Sequence, residues 1–315
     1  MIDFRYHLVS LIAVFLAVAL GIVIGTTALN EPILADIKNQ VSDLEQDKRS
    51  LEDRTQNLQA QLDTSDAFEE AVAPALVDGT LTSSRVLLVV TNEDVAPETV
   101  DQVTTLIGDA GGTVSGTLTL QPEYSDPSTA TSLQNYVTGS GLPSGVQLPA
   151  VDDAGQLVGS LLAQVLMIPP AGVAPDAAAV SSVMAGLTAL DVLTPEGDSI
   201  APADYAVVLT AGAFSGEDAA ERNDTVADLV TALDTAGSGA VVAGDAASAG
   251  ENGLVGLFRS DTTLSAAVST VDNVDTAAGR ISTVLALGRE GEGTSGKYGT
   301  GEDTQPVPPV PAATP

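Results

Sequence analysis

Residues 8–29, LVSLIAVFLAVALGIVIGTTAL, contain no charged side chain. A bilayer core needs about 20 helical residues to cross, so this run is long enough for one transmembrane helix. It also decides where everything else can go, because a helix dissolved in lipid leaves the remaining chain to fold in water. Within the run Ala13, Ala17, Gly21 and Gly25 recur every fourth position and form a stripe of small residues on which a second helix can lie closely. Residues 1–7 carry Asp3, Arg5 and the α-amino group, a slight positive bias, whereas Glu31 and Asp36 follow the run. Positive charge stays inside, which predicts a cytoplasmic N-terminus and an extracytoplasmic bulk at the cell membrane. The rival reading is a cleaved signal peptide, since Ala17, Val18 and Ala19 resemble a cleavage site. Cleavage there leaves the apolar residues 20–25 as a stub, which argues for an anchor.

The apolar run passes into a heptad over residues 30–65. Leu34, Ile37, Val41, Leu44, Leu51, Leu58 and Leu62 keep spacings of three, four and seven, the pattern of a left-handed coiled coil. With Ile37, Leu44, Leu51 and Leu58 at d, Lys48 and Thr55 fall at a, where polar residues fix register at the expense of stability. The prediction is a modest parallel homodimer on a stalk of about 45 Å. A four-residue stripe favours right-handed crossing and a heptad left-handed coiling, so a break is expected near Asn30 and Glu31, ahead of Pro32.

Residues 66–84, with Pro74 and Gly79, read as a linker, and the periodicity then changes. Residues 85–91 (RVLLVVT) form a buried-strand pattern, 97–107 a helix, 113–120 a second strand, and a further helix runs to about 138. Residues 141–203 interrupt this rhythm with proline, glycine and two apolar helices, and read as a helical insertion. Alternation resumes with strands at 205–209, 240–243 and 264–270 and helices at 216–235 and 274–287. The expected fold of residues 85–288 is therefore α/β, a Rossmann-like parallel sheet of about five strands. Residues 289–315 end in PVPPVP and read as a disordered tail.

Composition excludes several chemistries. Forty-two acids against eleven bases give a net charge of −31, which opposes nucleic acid and anionic lipid surfaces. Cysteine and tryptophan are absent, and the single histidine, His7, precedes the apolar run. The exported part thus has no imidazole or thiolate for acid–base, nucleophilic or soft-metal chemistry, and a non-enzyme without a cofactor is expected. No G-x-G-x-x-G follows the first strand, where Thr91, Asn92, Glu93 and Asp94 stand instead. The loops at the carboxyl ends of the strands carry Asn92, Glu93, Asp94, Asp245, Asp272 and Asp275, an acidic patch whose oxygens suit a hard cation. The plainer reading has Asp272 or Asn273 cap the last helix and Asp275 favour its dipole.

Arg5, Tyr6 and His7 before a single span, the 37–62 heptad, and the segment from Ser269 to Arg280 (STVDNVDTAAGR) together resemble the actinobacterial MctB/SteB family, over roughly residues 1–300. The resemblance implies a cell-envelope protein bearing a copper-transport label and linked to cell separation through control of peptidoglycan hydrolases with a SteA-type partner. Copper(I) favours Cys, Met or His clusters. Met167 and Met184 lie on apolar helical faces, and one span with an α/β pattern does not make a pore. The leading expectation is thus a dimeric scaffold or regulator of cell-wall hydrolysis, with copper transport as the alternative.

Overall fold

The computed structural model describes residues 4–139, 142–197 and 200–310, with the backbone alone for 26–35. Two compact units divide the chain, Met1–Ser65 and Asp66–Pro315. Helix α1, Phe4–Val77, begins in the first. Its stretch Phe4–Gly25 is long and apolar enough to cross a membrane, and its side chains are exposed. Pro32 does not break the helix at Asn30 and Glu31 as expected. A proline inside a helix removes one ladder bond and crowds the carbonyl four residues back, a local penalty that need not end the helix.

The second unit opens on the last turns of α1. Residues 66–84 are therefore not a loose linker: the helix continues to Val77, and Ala73, Val77 and Leu81 are buried in the core. There follow β1 (Arg85–Val90), α2 (Pro97–Asp109), β2 (Thr113–Leu120), α3 (Ala130–Thr138), α4 (Ala154–Leu166), α5 (Ala177–Ala189) and β3 (Leu193–Glu196). The second half holds β4 (Tyr205–Thr210), α6 (Ala219–Ala236), β5 (Ala240–Gly244), α7 (Leu254–Ser260), α8 (Thr262–Ala267), β6 (Ser269–Val271), α9 (Ala277–Glu290) and β7 (Lys297–Tyr298). The strands form one sheet in the order β3-β2-β1-β4-β5-β6-β7, all parallel except β3.

Alternation along each strand splits the core into two layers. Leu87 and Val89 of β1 join one face with α3, α4, α5, α6 and α7, whereas Val86, Leu88 and Val90 join the other with the end of α1, α2 and α9. Residues 141–203 are therefore no appendage. Leu161, Leu162 and Val165 of α4 are fully buried against α6, so this segment supplies a face that a doubly wound sheet must cover.

Among the described residues the sheet has seven strands rather than five. The missed pair are the margins: β3, antiparallel and containing Pro195, and β7, which emerges from the expected tail and pairs with β6. The strand expected at 264–270 is instead α8 followed by β6, because Asp261 caps a helix there through the amides of Thr263 and Leu264.

Beneath the sheet, at the amino ends of β5 and β6, Glu290 of α9 accepts the Ser269 amide at 2.6 Å. Burial pushes its carboxyl from 4.5 to about 7; the Ser269 bonds oppose this and nearby Asp234 adds to it. Asp234, which accepts the Ala240 amide, is likewise raised by burial to about 6.

Candidate functional site

Strand order reverses between β1 and β4, and in open α/β sheets that is where the crevice for a ligand forms. A cavity of 430 Å³ lies there, bounded by the segments leaving β1 and β2 and by the start of α6. Its floor is apolar, with Leu120, Val226 and the ring of Phe214. Glu93 and Asp94, both exposed, line it from the turn after β1. Arg222, on the first turn of α6, lines the same cavity.

Arg222 is held in place. Its guanidinium lies 4.6 Å from the Phe214 centroid, its Nε donates to Ser125 Oγ at 3.2 Å, and its Nη2 donates to the Pro122 carbonyl at 3.2 Å. Stacking on an aromatic face with two hydrogen bonds fixes the plane of the cation. Proline at the first position of the short 3-10 turn Pro122–Tyr124 sets the backbone that presents that carbonyl. Buried Tyr124, behind it, has its phenol pushed up by burial and then by the charge of Asp228. Among the described residues the hydroxyls of Tyr124 and Thr91, both on this cavity, have no hydrogen-bond partner.

The six acidic-loop residues are divided between the crevice and other duties. Asn92 donates to the Ala211 carbonyl at 2.9 Å and Asp245 accepts the Gly212 amide at 3.0 Å, so both brace the loop after β4. Asp272 lies under the C-terminal segment, where it pairs with Arg259 Nη1 and accepts the amides of Thr300 and Gly301 at 2.7 and 2.9 Å. Burial pushes Asp272 up, but those hydrogen bonds and the guanidinium charge outweigh it, and its carboxyl sits below the usual range. Thr276, not Asp272 or Asn273, caps α9 by accepting the Gly279 amide, while the carbonyl of Asp275 takes a bond from Arg280. Among the described residues no three His, Cys, Asp or Glu side chains come together as a metal site. Met167 and Met184 are 1% and 7% exposed and belong to the core.

In the first unit, Ala13 and Ala17 are exposed, and a Cβ at Gly21 or Gly25 would meet nothing within 4 Å. Ile37, Val41, Leu44, Leu51, Leu58 and Leu62 are all exposed, Leu44 at 71%. The side chain of Leu34 lies outside the described residues.

The sequence reading missed Arg222. Its signal was thin, a single base on an otherwise acidic helix, and the loop residues that hold it are about 100 positions away.

Fold and site together define an α/β protein that carries an N-terminal helix of membrane-spanning length and a cavity at the switch point of its sheet. The chain belongs to the MctB family: residues 1–309 match the family described as "Copper transport outer membrane protein, MctB". It is 34% identical over 312 residues, 98% of this chain and 99% of theirs, to proteins named "Copper transporter MctB" in Mycobacterium tuberculosis and Mycobacterium bovis. The protein of the same name in Mycobacterium leprae is 32% identical over 309 residues, 96% of this chain and 97% of its own.

Proposed function

We propose that this chain takes part in copper transport across the cell envelope, as a non-enzymatic, membrane-anchored accessory rather than as the conduit itself. The observation that carries the reading is the near full-length match to relatives named copper transporters. The names favour copper over the cell-separation scaffold as the leading role. The accessory part rests on donor chemistry. Copper(I) binds thiolate, thioether and imidazole, and this chain has no cysteine, one histidine and three methionines, of which Met167 and Met184 are locked in the core and Met1 begins the sequence. Among the described residues one helix is of spanning length, and one such helix by itself encloses no pore. In this reading the N-terminus is cytoplasmic and the α/β unit faces outward.

Deleting the gene and measuring cell-associated copper tests it. Cells without the chain are expected to accumulate copper and to recover when it is restored; unchanged copper content sinks the proposal. Copper flux through vesicles holding only the purified chain overturns the accessory part.

A second reading, a homodimeric scaffold that regulates cell-wall hydrolysis with a SteA-type partner, is favoured by the exposed heptad leucines, which leave an apolar stripe for a second copy. Imaging septa in the same deletion strain separates the two, since normal cell separation removes the scaffold.

A further inference from the structure

The α/β unit carries a large excess of acid, and its arginines are correspondingly taken. Arg85 pairs with Asp204, Arg259 with Asp272, Arg280 with Glu70 and Arg289 with Glu292. Among the described residues Arg222 forms no ion pair, although it is half-buried and lines the switch-point cavity; Asp126 is near enough to feel its charge but is engaged by the Ser128 amide. Its two protein hydrogen bonds use Nε and Nη2 and leave Nη1 for an external oxygen.

We propose that the switch-point cavity binds a small zwitterionic ligand, an amino acid or short peptide, with its carboxylate on Arg222 and its ammonium toward Glu93 and Asp94. A planar guanidinium whose orientation is already fixed suits a carboxylate, because binding then costs little ordering of the side chain. Glu93 and Asp94 on the same cavity attract the opposite end of such a molecule. They also repel a phosphate dianion, and the chain after β1 offers no glycine-rich cradle for one. Leu120, Val226 and Phe214 give the same cavity an apolar lining that suits a small apolar side chain. The volume of 430 Å³ falls in the range of small-ligand sites, about 300 to 1,000 Å³, and accommodates a peptide of about two or three residues. The inference is independent of the copper reading and stands or falls without it.

The test uses the full chain in detergent micelles, with a chelator present, and titrates alanyl-alanine by calorimetry. Saturable binding is expected, weakened about tenfold or more by amidating the carboxyl end and measurably by acetylating the amine. In the protein, R222Q is expected to lose binding by a similar factor, and E93Q/D94N to weaken the free dipeptide but not its acetylated form. Absence of saturable binding, equal affinity for acid and amide, or inorganic phosphate binding more tightly than the dipeptide overturns the proposal. Because the acid and amide are compared on the unaltered chain, the outcome does not depend on whether R222Q folds.

Discussion

Two apolar helical stretches of this chain meet opposite fates. Residues 4–25 of α1 keep their side chains exposed, whereas α4 buries Leu161, Leu162 and Val165 completely. Length separates them before any packing does. Thirteen residues of α4 rise about 20 Å, too short for a bilayer but well matched to the face of a sheet. The 22 residues of the first stretch reach about 33 Å, and none of them enters a core cluster. Hydropathy says that a segment must leave water; the partner is decided by how far the apolar run extends and by whether its polar punctuation permits a fold around it. Asp153, which caps α4 through the Gln156 amide, is such punctuation.

The contrast can be attacked from its strongest side first. Replacing Asp272 by Asn leaves the Arg259 cation buried without its counter-charge, and denaturant unfolding of the full chain is expected to lose about 4 kcal/mol. The corresponding change in the exposed α1 pair, E52Q, is expected to alter α/β unfolding by less than about 0.5 kcal/mol. Since the folded carboxyl of Asp272 is depressed, its contribution is present above the ordinary 3.8 and disappears as pH falls through the folded value. D272N should therefore also flatten the acid limb of a stability profile.

Next in size, Leu161→Ala removes a fully buried side chain and is expected to cost about 3 kcal/mol, seen as a lower Tm, whereas Leu51→Ala leaves that transition in place. A smaller, pH-dependent effect belongs to Glu290. Its raised carboxyl makes the folded state the better proton binder between 4.5 and about 7, so stability declines as pH rises through that window. E290Q is expected to gain about 2 kcal/mol at pH 8 and nothing at pH 4, because glutamine keeps the acceptor for Ser269 without the charge. Smallest for the α/β unit, and decisive for α1, is the triple change of Leu44, Leu51 and Leu58 to Asn. If the heptad pairs two copies as proposed, sedimentation shows a dimer for the unaltered chain and its loss in the triple variant, with no shift in the α/β Tm; the same oligomeric state in both removes the heptad as a basis for self-association.

Elements with a long, clean period were legible in the residues. The runs at 85–91, 113–120, 205–209 and 240–243 became β1, β2, β4 and β5: β1, β4 and β5 are buried on both faces and nearly continuously apolar, whereas the half-buried β2 shows itself by alternation. The margins were not. β3 holds only LTPE and β7 only Lys297 and Tyr298, and neither has enough residues to display a period. The end of α1 was hidden by Pro74 and Gly79, residues that read as loop but that the helix and the turn after it accommodate. At the crevice the acidic loops were visible and Arg222 was not, since a lone cation becomes informative only once the carboxylates that could neutralise it have been located. The cap of α9 was misassigned among neighbouring candidates because Asp272 was drawn away by Arg259.

The brevity of β3 and β7 also bears on how copies of the chain tolerate one another. Molecules confined to a lipid plane by an apolar helix meet far more often than molecules free in solution, and an open strand edge would offer each arrival a template for fibril-like growth. Pro195 withholds an amide at one border, and at the other a two-residue strand followed by the folded-back pairing of Gly299 with Gln305 leaves little ladder to extend. Crowding in two dimensions then brings the sheets side by side without letting them zip together.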